Sequence, residues 1–283
     1  MLLLGAAACA LSFCMILVLA YLSPRARELD ANALQGFLGL QSIDSYTVMR
    51  KLGHLGDAKW VIPQAAILIG VALLRGRPRL ALAVVALVGL TSVSSQLLKA
   101  LFEYPRYDGF AQVAAKAFPS GHSTAAMAIA IAGVLVAPQR VRPFAAVAGC
   151  ALALTVGFSV VSVGSHFPSD VAGGFLLSAT WGLLLAVALR WADARRPERA
   201  VPGRAAAFVR RATDAVTATG LAAAVLAGVV VLGAVVLAIV VTRPGDIIEI
   251  ARDHTAALLV GSALAALAMG LLTGITLGLR RRG

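Results

Sequence analysis

What most constrains this chain is the length of its apolar runs. Eight stretches, at about 2–22, 59–75, 80–101, 121–137, 143–163, 168–190, 220–241 and 256–279, consist largely of Ala, Val, Leu, Ile and Gly. As helices they can cross a hydrocarbon core of roughly 30 Å, with 121–137 the shortest. Lipid offers the backbone no water, so only helices and closed barrels span it. The runs are continuous rather than alternating, which selects helices. Charged residues make up only 13% of the 283 residues, about half the share of an ordinary soluble domain. The expected fold class is all-α, a polytopic membrane protein.

Punctuation divides the chain. Six spans lie within residues 1–190. An Arg-rich segment at 191–214, broken by Pro197, Pro202 and Gly203, follows as a linker. Residues 215–283 then hold two further spans as a C-terminal hairpin. The loop at 23–58 mixes apolar and charged residues, which predicts one or two short helices on the membrane surface. No positive stretch precedes the first span, so it reads as a retained helix rather than a signal peptide. Cys9, Cys14 and Cys150 all fall within spans and read as small apolar side chains.

The net charge of +12 raises the question of nucleic acid. Its distribution answers differently. With the N-terminus inside and the spans alternating, the inner segments carry fifteen Arg or Lys against three acidic residues. The outer segments carry ten of each. A basic excess confined to one face is the positive-inside pattern, and it attracts anionic lipid headgroups there. The expected location is the plasma or inner membrane, with anionic lipids as partners of the cytoplasmic face and no nucleic acid. The sequence sets no oligomeric state.

Three polar islands interrupt the hydrocarbon. Ionisable groups beside lipid are costly and mark function by default. Lys99 and Arg106 end the third span and begin its loop; they suit phosphate oxygens, or they snorkel to headgroups. Pro119-Ser120-Gly121-His122 opens the fourth span. A glycine and free amides at a helix N-terminus bind anions, and His122 beside them can protonate a leaving oxygen. The same four residues could serve only as a helix cap. Ser159 opens the third motif; His166 and Asp170 then bracket the start of the sixth span. Their i, i+4 spacing shares one helical face, where a carboxylate can orient an imidazole as nucleophile. The alternative is an interfacial histidine and a helix-start acid. No HExxH or Cys-x-x-Cys pattern and no paired outer carboxylates suggest a metal. Alternating topology puts all three islands on the outer face.

In combination and order, the islands resemble the signature of the type 2 phosphatidic acid phosphatase superfamily: Lys-x6-Arg-Pro, Pro-Ser-Gly-His, and Ser-Arg-x5-His-x3-Asp. The resemblance covers about residues 59–190. It implies an antiparallel six-helix membrane core that acts on lipid phosphates or pyrophosphates without metal or cofactor. It further implies His166 as the nucleophile forming a phosphohistidine, Asp170 as its orienting acid and His122 as proton donor. Lys99, Arg106, Ser120 and Gly121 would hold the phosphoryl group, with Ser159 from the third motif beside them. Two positions depart from the pattern. Tyr107 replaces the Pro after Arg106, and Val160 stands where the third motif has Arg. The missing guanidinium predicts a substitute cation (Arg50, Lys51 or Lys116), a different substrate or reduced activity. The expected function is a lipid-phosphate or polyprenyl (pyro)phosphate phosphatase at the outer face. Phosphotransfer to another acceptor, and lipid-phosphate binding or transport without turnover, are the alternatives.

Overall fold

A computed structural model of the chain describes residues 1–102, 117–196, 211 and 252–279. Arg106, Lys116, most of the 191–214 linker and the 220–241 span lie outside the described residues. Among the described residues the secondary structure is helical, with no strand. The α-helices are α1 (Leu2–Leu22), α2 (Pro24–Gly39), α3 (Ile43–Gly53), α4 (Ala58–Leu74), α5 (Pro78–Leu101), α6 (Gly121–Val136), α7 (Arg142–Ser162), α8 (Pro168–Arg195) and α9 (Thr255–Gly278). Five of them, α1, α5, α7, α8 and α9, are long and apolar enough to cross a bilayer alone. The chain is a multi-pass membrane protein.

The two short membrane candidates have separate physical explanations. At 17 residues, α4 continues the Ser45–Gly56 segment through a bend of 48°. The 16-residue α6 buries twelve residues, including Met127, Ile131 and Val134. A helix apolar on every side is a core helix, and α6 runs through the middle of the bundle between α4, α5, α7 and α8. Protein rather than lipid surrounds it, so it need not match the full bilayer thickness. The outer helices instead turn large side chains outward, among them Leu11, Ile62, Leu82, Val93 and Met269. Lipid is as apolar as these groups, so small residues rather than hydrophobic segregation bring the helices close. A Cβ added at Gly174 on α8 would meet Ser120 O at 3.0 Å and Thr124 Oγ1 at 2.8 Å. α8 therefore lies directly on the first turn of α6.

The 23–58 loop forms two short helices, α2 and α3. Ser23 caps α2, accepting from the Ala26 amide, and Pro24 starts the helix. Ser42 and Ser45 cap α3 reciprocally. α2 packs against α9 and α3 against α7. Short connections at 75–77, 137–141 and 163–167 make successive helices antiparallel. The C-terminal end of α5 and the N-terminal ends of α6 and α8 therefore meet at one end of the bundle.

The opposite end is basic. Arg77 Nη2 lies 3.2 Å from Asp193 Oδ2, and Arg79 Nη1 3.5 Å from Asp193 Oδ1. Arg142 donates to Leu279 O at 3.0 Å and Arg190 to Gly278 O at 2.6 Å, covering carbonyls at the end of α9. Cations at a helix C-terminus complement its dipole.

Candidate active site

The site is assembled where the first turns of α6 and α8 touch. The Ser120 amide donates to Asp170 O at 3.0 Å, joining the second and third motifs through the main chain. Ser120 is fully buried. Its Oγ accepts from the Ser123 amide at 3.3 Å, and its carbonyl accepts from the Thr124 amide at 2.9 Å. The Gly121 and His122 amides are thus left at the helix start with no hydrogen bond among the described residues. Lys99, from α5, places Nζ 3.4 Å from where a Cβ on Gly121 would stand. An ammonium group and two amides at the positive end of a helix form an anion cradle. A larger side chain at position 121 would crowd it.

Asp170 is fully buried and His166 nearly so. Asp170 Oδ2 accepts from the Phe167 amide at 2.9 Å, fixing the carboxylate at the start of α8. The same oxygen lies 3.3 Å from His166 Nδ1. In the tautomer that donates Nδ1–H to Asp170, the other ring nitrogen, Nε2, carries a lone pair. Across the site, the ring centroids of His122 and His166 are 6.4 Å apart, with an interplanar angle of 64°. One phosphoryl group can therefore touch both rings. The turn is held from outside by Asp30 of α2, itself buried. Asp30 accepts from the Ser169 amide at 3.0 Å and from Ser169 Oγ at 2.6 Å.

A second carboxylate enters from the 23–58 loop. Asp57 Oδ1 lies 2.9 Å from His122 Nε2, and Asp57 Oδ2 lies 2.9 Å from His54 Nδ1. Lys59 Nζ is 3.5 Å from the same Oδ2. Desolvation works to raise the Asp57 carboxyl, but the hydrogen bonds from His122 and His54 outweigh it and hold it below the ordinary carboxylate value. The approach needs a glycine: a Cβ at Gly56 would stand 2.8 Å from His122 Cβ and 2.9 Å from its Cα. Asp57 was not among the residues expected from sequence. The one available signal was the tight Gly53-His54-Leu55-Gly56-Asp57 run.

Of the residues expected from sequence, Lys99, Ser120, Gly121, His122, His166 and Asp170 converge here. Ser159 is buried one turn before the end of α7, and its hydroxyl donates to Thr155 O at 2.6 Å. Arg106 lies outside the described residues. Val160 is buried, and its carbonyl accepts from the Ser165 and His166 amides at 3.0 and 3.2 Å. Arg50 and Lys51 are exposed on α3. What the loop brings to the site is Asp57, with His54 behind it. A cavity of 520 Å³ opens beside Asp57, Lys99, Gly121 and His122 and extends between α4, α5 and α6.

The comparisons with known proteins bear on the same region. The PAP2 superfamily model matches residues 79–194. Two curated relatives, each named lipid A 1-phosphatase, come from Rhizobium johnstonii and Rhizobium etli. Each is 39% identical over 87 residues, or 31% of this chain. The match spans only 33% and 34% of the relatives' own lengths. In overall shape, the chain is similar to the crystal structure of a transmembrane PAP2-type phosphatidylglycerolphosphate phosphatase from Bacillus subtilis. The TM-score is 0.56 at 23% identity, covering 68% of this chain and 97% of that one. Motif order, family match and fold agree: residues 79–194 match the PAP2 superfamily model, and the helical bundle has the fold of a transmembrane PAP2-type phosphatase.

Proposed function

We propose that the chain is a membrane phosphatase that hydrolyses a lipid phosphate or polyprenyl (pyro)phosphate at the outer face of the plasma or inner membrane. The observation that carries this reading is the facing of two imidazoles, 6.4 Å between centroids, beside the Lys99 and α6 anion cradle. His166 Nε2 attacks phosphorus, and the bond to the lipid oxygen breaks. Asp170 stabilises the imidazolium that forms. His122 gives its proton to the departing oxygen, then takes one from the water that cleaves the phosphohistidine. Lys99 and the α6 amides, with Arg106 from the adjoining loop, neutralise the phosphoryl oxygens. Asp57 acts through His122 by fixing its ring and favouring its protonated form.

No metal or cofactor is needed in this scheme, because cations and amides already supply the charge. Among the described residues, no group of three or more His, Cys, Asp or Glu could hold a metal ion. Residues 1–190 form the catalytic unit, 191–214 a cytoplasmic basic linker and 215–283 a two-span hairpin. The Arg-rich end contacts anionic lipid heads. A lipid-phosphate binding or transport role is the second reading, favoured by Val160 in place of the motif arginine. An oriented nucleophile is superfluous for binding alone, which favours turnover; phosphotransfer to an alcohol would use the same phosphohistidine.

The test is phosphate release by purified protein in detergent, with His166→Ala as control and with chelator present. Release that survives chelator and disappears in the variant supports the proposal. Loss in chelator, restored by a divalent ion, overturns the metal-free mechanism. Single cysteines near Phe167, labelled from outside intact cells, test the orientation.

A further inference from the structure

The 520 Å³ cavity is much larger than a phosphoryl group requires, and its walls differ. On the α5 side, beyond Val88, it is lined by Thr91, Ser92, Ser95, Gln96 and Lys99. These positions recur at i, i+1, i+4, i+5 and i+8, on one helical face extending about 12 Å along the axis. On the other side it is lined by Ala58, Val61, Ile62 and Ala125, and by Thr124, whose hydroxyl is already bonded to Ser120 O at 2.7 Å. The Thr91 hydroxyl is already bonded to Leu87 O at 2.7 Å. Ser95 is not satisfied: it is 2% exposed, lines the cavity, and its Oγ has no hydrogen-bond partner among the described residues. Gln96 and Ser92 are exposed toward the same space. An isoprenoid or alkyl chain seated there would leave these groups unpaired in an apolar surrounding, which is costly. A hydroxyl- or amide-bearing unit would pair with them.

We propose that the Ser92, Ser95 and Gln96 face of α5 is a headgroup subsite. It selects lipids whose phosphate is carried on a hydroxyl- or amide-bearing unit, a sugar or glycerol, over phosphates carried directly on a hydrocarbon chain. The inference rests on the phosphatase reading above and narrows its substrate class. Lys99 holds the phosphate at the top of the polar row, and the unit next to phosphorus lies along the row beneath it. The apolar wall of α4 and α6 accommodates the start of the acyl region.

The experiment compares kcat/KM in detergent micelles at equal mole fraction for three substrates. These are an acylated glucosamine 1-phosphate, phosphatidylglycerol phosphate and undecaprenyl phosphate. The wild type is expected to favour at least one of the first two over the third by tenfold or more; which one it favours identifies the sugar or glycerol source. Ser95→Ala with Gln96→Leu should reduce that preference about tenfold, the worth of one or two hydrogen bonds. Gln96→Leu alone changes an exposed side chain and serves if the double variant does not fold. Equal rates on all three substrates, or losses equal across them, would overturn the subsite. Release from none of them would sink the phosphatase reading instead. The subsite is then judged by lipid-induced thermal stabilisation of the purified protein, where the same tenfold preference, lost in the double variant, is required.

Discussion

Two histidine–aspartate pairs face each other across this site, and the chain builds them in opposite ways. His166 and Asp170 are four residues apart, at the start of one helix, in a dry environment. His122 and Asp57 are 65 residues apart, one on a helix and one in the bend before α4, and the His122 side chain is 40% exposed. The buried pair is suited to hold an imidazole in one orientation. The open pair is suited to exchange protons with a leaving oxygen and with water. Burial and access, rather than residue type, separate the two roles.

Substitutions can break or sharpen that contrast. The largest effect is expected at the buried pair. His166→Ala removes the nucleophile, and turnover should fall by about 10⁴–10⁶-fold, as when other covalent catalysts lose theirs. A residual rate within tenfold of wild type would remove the distinction between the pairs. Next comes Asp57→Asn, which keeps the size but loses the charge. We expect kcat to fall about 10–100-fold, within or below the range of a positioned general acid. Without the carboxylate, the His122 imidazolium gives up its proton more easily, so the alkaline limb of the kcat/KM profile should move to lower pH. An unmoved limb would reduce Asp57 to a structural loop residue. In the wild type the Asp57 carboxyl is held below its ordinary value. Its contribution is therefore complete above the ordinary carboxylate value and is lost as pH falls through the lowered folded value.

Smaller effects follow away from the reacting atoms. Asp30→Ala removes two hydrogen bonds from the first turn of α8. The expected cost is about 1–3 kcal/mol of stability, seen as a lower melting temperature in detergent. Activity should fall less than in Asp57→Asn; the reverse order would make α2 part of the chemistry. Smallest is His54→Ala. The His54 side chain is 48% exposed, and such an ion pair contributes at most about fivefold. A larger loss would show that protons leave His122 through Asp57 and His54.

The same contrast explains what could be read from the chain alone. Apolar runs mark helices because lipid imposes length and backbone pairing, so α1, α5, α7, α8 and α9 were visible in advance. His166 and Asp170 were visible because helical periodicity converts sequence spacing into proximity. Asp57 was not, because its pairing depends on how the bend before α4 sets the loop onto α6. A carboxylate beside His54 and Lys59 looks like an ordinary solvated charge. Asp30 was hidden for the same reason, in an amphipathic surface helix whose partner lies 139 residues away. Ser159 was read from its motif position, whereas its hydroxyl is turned back onto its own helix.

The central claim is that His166 becomes covalently phosphorylated. The direct measurement is acid-free rapid quenching of wild type and variants with a lipid substrate labelled in its terminal phosphate. An alkali-stable, acid-labile phosphoprotein is expected in the wild type. Its peptide should map to the start of α8, and the label should be absent from His166→Ala. Water attack on the intermediate needs a base, so label should accumulate in His122→Ala if a substrate with a good leaving group bypasses the need for an acid. Phosphate release with no label on any histidine, under conditions where the first turnover is resolved, would contradict the account.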